Sequence, residues 1–245
     1  MKDNFSHRAS IYAQYRPGYP GELFEYIMRF VRAKNLAWDC GTGNGQSAKT
    51  LGNYFEKVIA TDISQKQIDN AYQAANIFYA VEPAEQTSLA DKSVDLITVA
   101  QAIHWFNFEK FYAEVNRVAK PGAIIAVWTY SLIQISKEID DIISEYHFKT
   151  LENFWDPERK YVDDGYAGIP FPFAKIGTSD FNIEVNWSLK ELEGYFNTWS
   201  ALQKFIAANS FSPVNELVNK IGQYWGNSEK RQIFFPVHLK LGIIE

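Results

Sequence analysis

The densest chemical signal in the chain is the run Asp39-Cys40-Gly41-Thr42-Gly43-Asn44-Gly45. Glycine at every second position lets the backbone turn tightly and lets a ligand approach its N–H groups. A helix starting just behind the run adds unpaired N–H donors and the positive end of its dipole. The spacing is G-x-G-x-G, whereas the dinucleotide fingerprint is G-x-G-x-x-G. By itself the loop also reads as a plain glycine-rich turn, since such turns recur across α/β folds. Asp62 follows 17 residues after Gly45. A carboxylate at the end of a second strand can accept hydrogen bonds from both hydroxyls of a ribose. Alone, it reads equally well as the acid opening the next helix. Loop and acid in this order point to an adenosine-containing ligand.

His104 is the candidate for proton transfer, because histidine can remove a proton near neutral pH. The competing reading is that it hydrogen-bonds the ligand or braces its turn. His7, His147 and His238 lie far from it in sequence, no His-x-x-His or His-x-x-x-His spacing occurs, and Cys40 is the single cysteine. A metal is not expected. Tyr12, Tyr15, Arg16 and Tyr19 suit a lid whose guanidinium clamps a carboxylate, or an amphipathic helix docking its aromatics on the core. Trp128, Tyr130, Trp155 and Trp199 are candidates to line a pocket, with core packing as the alternative for each.

These residues need elements to position them. Apolar runs at 36–40, 57–62, 76–81, 94–99 and 123–128 alternate with helical patterns at 46–54, 64–72 and 107–119. That rhythm predicts a parallel sheet wrapped by helices. It breaks after residue 130. Residues 166–173 cannot form a regular helix because Pro170 and Pro172 interrupt them. Residues 181–187 alternate as a half-buried strand, 189–208 read as one helix, and 233–239 read as a closing strand near an edge because of Pro236. The expected layout is an N-terminal lid (1–35), an α/β core (36–130), a cap insertion (131–180) and a C-terminal segment completing the sheet (181–245).

The loop and Asp62 together make the chain resemble a class I S-adenosylmethionine-dependent methyltransferase, over residues 36–128. The resemblance implies a Rossmann-like, doubly wound, mostly parallel seven-stranded sheet with an antiparallel last strand and a helical cap inserted after strand five. It places Asp39, Gly41, Thr42 and Gly43 around the methionine part of the cofactor, and Asp62 with Ile63 at the ribose. Ala84 and Glu85 fall by the adenine, Gln101 falls in the turn after strand four, and Arg117-Val-Ala-Lys-Pro-Gly122 resembles the family's lead-in to strand five. A narrower resemblance, to a small-molecule subgroup that includes trans-aconitate-methyltransferase-like proteins, rests on further positions. They are Phe5, Ala9, Tyr12, Tyr15-Arg16-Pro17, Tyr19-Pro20, Ala102-Ile-His104-Trp105-Phe106 and Trp199-Ser200. The subgroup often has Asp where this chain has Asn107; both can cap the helix that follows. The implied reaction is in-line methyl transfer to a carboxylate or hydroxyl of a small molecule, leaving S-adenosylhomocysteine. Within that reading Arg16 is expected on the cofactor, Tyr12, Tyr19, Trp105, Trp128, Tyr130 and Trp199 are the candidates for the acceptor, and His104 is the candidate base where one is required.

Composition narrows the alternatives. A net charge of −5 without a basic block argues against nucleic acid as partner. No apolar run approaches membrane-spanning length and the N-terminus does not read as a signal peptide, so a cytoplasmic monomer or homodimer is expected. A dehydrogenase is disfavoured by the glycine spacing and by the absence of a Tyr-x-x-x-Lys pair. A catalytically silent cofactor-binding protein stays open. Aromatic residues make up 16% of the chain. Residues 131–212 alone hold 15 of them against 13 in the longer segment 36–130, which favours an aromatic-walled acceptor pocket.

Overall fold

The computed structural model describes residues 15–177 and 179–245. Its centre is a sheet in which β1 (Leu36–Cys40), β2 (Lys57–Asp62), β3 (Ile77–Val81), β4 (Val94–Ala100) and β5 (Ala119–Tyr130) run parallel. The order is β3-β2-β1-β4-β5, followed by β8 (Arg231–Ile243) antiparallel to β5. Strand order reverses between β1 and β4, so a crevice opens at their carboxyl ends, where ligands of open α/β sheets bind.

The strand sequences explain the layering. Alternate residues of β5 enter two different cores: Ile124, Ala126 and Trp128 face one, while Ile125 and Val127 face the other. In β4 all of 94–99 is buried, as expected for a strand covered on both faces. Asp95 within it accepts from the backbone N–H groups of Asn35 and Leu36 and from Lys120, so its burial leaves no oxygen unpaired. On the first face, α1 (Gly21–Met28) buries Leu23, Phe24, Ile27 and Met28. On the second, α4 (Phe108–Val118) buries Phe111, Tyr112, Val115 and Val118, with the Asn107 side chain capping Lys110 N–H. Short helices α2 (Gln46–Leu51) and α3 (Gln65–Asp69) follow β1 and β2.

After β5 come α5 (Lys137–Glu145), α6 (Arg159–Asp163), β6 (Ala174–Lys175), β7 (Phe181–Trp187), α7 (Leu189–Phe196), α8 (Ser200–Asn209) and α9 (Val214–Trp225). Three expectations need correction. Among the described residues the sheet has eight strands rather than seven, because β6 and β7 share the outer side of β8, opposite Gly242–Ile243 and 231–237 respectively. Accordingly, β8 is an interior strand. Pro236 is tolerated because its carbonyl accepts from Ser131 N–H one residue past the last β5–β8 pair, so its missing N–H falls where the ladder already ends. The continuous helix expected over 189–208 is broken at 197–199. There Asn197 Nδ2 donates to Glu193 O and Thr198 Oγ1 to Tyr195 O, and both side chains compete with the helical backbone. Trp199 then adopts extended geometry.

Candidate active site

Asp39 is 1% exposed and sits beneath the glycine loop. It accepts from Thr42 Oγ1 at 2.5 Å and Thr98 Oγ1 at 2.7 Å. Burial pushes its carboxyl up to about 6, and the two hydroxyls hold it from rising further. Its observed work is to pin the loop. Gly41, Gly43 and Gly45 all have positive φ, at 67°, 57° and 83°. A Cβ at Gly41 would lie 2.6 Å from Ala102 Cβ, and one at Gly45 would lie 2.3 Å from Tyr79 Oη. Packing therefore demands glycine at Gly41, while a Cβ at Gly45 would have to displace the Tyr79 hydroxyl. At Gly43 the same construction meets nothing within 4 Å, so that glycine borders open space.

Asp62 closes the other side of the crevice. Its Oδ2 accepts from Gly43 N–H and its Oδ1 from Ser64 N–H, each at 2.9 Å. A carboxylate oxygen can accept more than one hydrogen bond, so the acid can hold the loop and still receive ribose hydroxyls. Ile63 beside it is half-buried. Ala84 is buried, and Glu85 accepts from Asn107 N–H at 2.8 Å, tying this segment to the start of α4. The glycine cradle, the open space at Gly43 and an acid at the end of β2 fit an adenosyl cofactor.

A second space adjoins the turn after β4. Its walls include Arg16, Gln101, His104, Trp105 and Tyr130. Gln101 holds φ 55° while its Oε1 accepts from Thr129 Oγ1 at 2.6 Å. His104 lies on a 3-10 turn (Ile103–Trp105), and its Nδ1 is 2.8 Å from Tyr166 Oη. Tyr166 is fully buried with φ 66°. Among the described residues only four non-glycines have positive φ, and two of them, Gln101 and Tyr166, belong to this site, where such strain concentrates. Burial first, and the Arg159 charge second, push the His104 imidazole down to about 3, so it is neutral across the physiological range. A base of that strength is poorly matched to proton abstraction near neutrality.

Arg16 donates to Tyr130 Oη at 2.7 Å and lies over the Tyr195 ring. Five of the expected site residues thus converge here. Three others do not line the cavity. Trp128 is fully buried with Tyr19 and Phe24 edge-on against it, so Trp128 and the half-buried Tyr19 pack against the core and are not among the described residues lining this space. Trp199 is 3% exposed among His147, Tyr195 and Phe196. In each case the same large apolar face that would suit a ligand finds a better partner in neighbouring rings. Tyr12, with Phe5 and Ala9, lies outside the described residues.

The remaining wall comes from Trp155, Asp156, Arg159, Val162 and Ser200. Of these, Asp156 and Arg159 had no signal of their own in the sequence. Asp156 is paired with Lys204 at 2.7 Å, and Arg159 with Asp163 at 2.9 Å. The only available hint was the Arg159–Asp163 spacing of four, one turn of helix apart next to a tryptophan. No helix among the described residues is long and apolar enough to cross a membrane.

Residues 38–127 match the model of a methyltransferase domain family. A methyltransferase-family protein of Dictyostelium discoideum is 35% identical over 247 residues, covering 98% of this chain and 94% of its own. The solved structure of an Anaeromyxobacter dehalogenans protein assigned as a type II methyltransferase superposes with a TM-score of 0.87. It shares 36% identity and covers 94% of this chain and 98% of its own. A phosphoethanolamine-type N-methyltransferase of Haemonchus contortus, solved with S-adenosylhomocysteine, shares the fold at a TM-score of 0.50 and 16% identity, covering 98% of this chain and 57% of its own. With a glycine cradle and an acid ending β2 at the switch point of a largely parallel sheet, and with these relatives along nearly all of its length, the chain belongs to the class I S-adenosylmethionine-dependent methyltransferases.

Proposed function

We propose that this methyltransferase modifies a small-molecule acceptor bound in the cavity beside His104. The observation that carries this reading is the convergence of Arg16, Gln101, His104, Trp105, Tyr130 and Arg159, from the cap and the turn after β4, on one concave space with apolar walls and a few polar groups. The cofactor supplies a sulfonium-bound methyl group that is already electrophilic. The protein's share is then alignment and exclusion of water.

Each residue has a distinct part in that. Gly41 and Gly43 let the backbone come close to the methionine portion, and Asp39 holds them there through Thr42. Asp62 receives the ribose hydroxyls, with Ile63, Ala84 and Glu85 beside the base. Arg16, steadied by Tyr130 Oη, offers a guanidinium to the methionine carboxylate. Gln101, held by Thr129, lines the cavity just past the end of β4. His104, neutral and braced by Tyr166, orients the acceptor through a hydrogen bond. A carboxylate acceptor needs no base, which agrees with an imidazole held far below its usual pKa. Trp105, Tyr130 and Trp155 supply apolar walls.

Titration calorimetry with S-adenosylhomocysteine tests the cofactor half, and absence of binding at millimolar ligand would remove it. A pooled metabolite screen with isotopically labelled methyl donor, read by mass spectrometry, tests the acceptor half. Label appearing only on macromolecules would exclude the small-molecule reading.

A further inference from the structure

The geometry points to Arg159 as the anchor for a carboxylate group carried by the acceptor. This rests on the proposal that the cavity beside His104 receives the acceptor. Arg159 opens α6, and its Nε–H donates to Asp163 Oδ1 at 2.9 Å one turn later. The same oxygen lies 3.1 Å from His147 Nε2 on a fully buried imidazole. His147 therefore presents Nε2–H to the carboxylate, and its Nδ1, which has no partner among the described residues, carries only a lone pair. Asp163 is clamped between two donors and holds the guanidinium by one edge. One face of that guanidinium lies over the Trp155 ring, 4.7 Å from its centroid.

One edge and one face are thus fixed, while Nη1 and Nη2 make no hydrogen bond among the described residues. A guanidinium restrained at Nε offers its Nη pair as a two-pronged donor, whose parallel N–H vectors match the two oxygens of a carboxylate. Among the described residues the charged groups lining the cavity are Arg16, Arg159 and Asp156, with Lys204 paired to Asp156 and Asp163 to Arg159. With Arg16 given to the cofactor's carboxylate, Arg159 is the cation that faces the acceptor. The Trp105 and Trp155 rings beside this edge favour an apolar or aromatic body on the same molecule. Asp163 and His147 are positioning residues in this arrangement, and Arg159 is the residue that sets specificity.

Phenylacetate, with phenylacetamide as its uncharged counterpart, is a direct probe. In protein saturated with S-adenosylhomocysteine, ligand-observed NMR titration is expected to show phenylacetate binding at least tenfold tighter than the amide. Arg159→Gln is expected to abolish that preference while leaving S-adenosylhomocysteine affinity within about twofold, which also certifies the fold. Arg159→Lys, which keeps the charge without the fork, should retain a two- to threefold preference and serves if the glutamine variant does not fold. Equal binding of acid and amide, or a preference surviving in Arg159→Gln, overturns the assignment. Loss of S-adenosylhomocysteine affinity in step with the preference overturns it too, by giving the guanidinium to the cofactor's carboxylate. Tighter binding of phenyl phosphate than of phenylacetate would replace a carboxylate by a phosphoryl group. If wild-type protein fails to bind S-adenosylhomocysteine, the cofactor half of the proposed function falls instead. The acid-against-amide comparison without it still decides on Arg159.

Discussion

The cofactor crevice and the cap-side cavity are built in opposite ways. The crevice is held largely by contacts close in sequence, two of them from backbone N–H groups: Ser64 N–H to Asp62 two residues apart, Gly43 N–H to Asp62 nineteen apart, and Thr42 Oγ1 to Asp39 three apart, with Thr98 Oγ1 to Asp39 as the one remote tie among them. The cavity is held by side chains from remote segments: Arg16 to Tyr130 across 114 residues, His104 to Tyr166 across 62, Lys204 to Asp156 across 48. The first is a local motif, tolerant of what surrounds it and suited to a ligand that never changes. The second exists only after the whole chain has assembled, and its chemistry can be altered by single side chains without disturbing the first.

If that contrast is right, substitutions in the crevice should damage stability and cofactor binding together. Gly41→Ala should have the largest effect. A left-handed alanine costs about 1–2 kcal/mol, and the overlap with Ala102 adds roughly 1–3 kcal/mol more, readable as a lowered urea midpoint. Gly43→Ala carries only the first cost but fills the space bordering the cofactor. It should weaken S-adenosylhomocysteine more than it weakens the fold, and a stability loss matching that of Gly41→Ala would break the distinction. Asp62→Ala comes next, with cofactor affinity falling by about 1–3 kcal/mol in calorimetry. An unchanged affinity would mean the ribose lies elsewhere.

On the cavity side, the expected effect is a pH dependence. The His104 imidazole falls from its ordinary 6.5 to about 3 in the folded protein. Below 6.5 the unfolded chain gains a proton that the folded one refuses, so the stability present above 6.5 is lost as pH falls toward 3. The slope approaches ~1.4 kcal/mol per pH unit for one proton. His104→Gln should remove that contribution from urea titrations across this window, while His147, also held below its usual value by burial, keeps its own in both proteins. Equal slopes would mean His104 is hydrated. The smallest change should follow Asn107→Asp. Both residues cap α4, so stability should move by no more than about 0.5 kcal/mol, in favour of Asp at the helix N-terminus. A larger shift in phenylacetate affinity than in stability would bring that position into the cavity.

The same contrast explains what the amino-acid order discloses. Strands β1 to β5 are legible because each is a continuous apolar run whose burial follows from its own composition. The Asp39–Gly45 loop and Asp62 are legible because their spacing is their geometry. Trp128 and Trp199 mislead because a large ring suits a core and a pocket equally, and only the neighbours decide. Arg159 is silent because its meaning depends on Asp163, His147 and Trp155 surrounding it in space. The break at 197–199 depends on where Asn197 and Thr198 turn their side chains, which a helical apolar pattern does not reveal.

One strand has a consequence for how the molecule is made. All the ladder pairing that joins β6 and β7 to the sheet passes through β8, and β8 also covers the open side of β5. On the ribosome, β1 to β5 can pair as they emerge, but β5 keeps a bare, largely apolar edge for the next hundred residues, until 231–243 are synthesised. During that interval the nascent chain is exposed to strand addition from its neighbours. Closure must await a contact of very long sequence separation, which makes this step the slow one in refolding. The strand that completes the sheet is therefore also the one that shields the edge of β5 from such pairing.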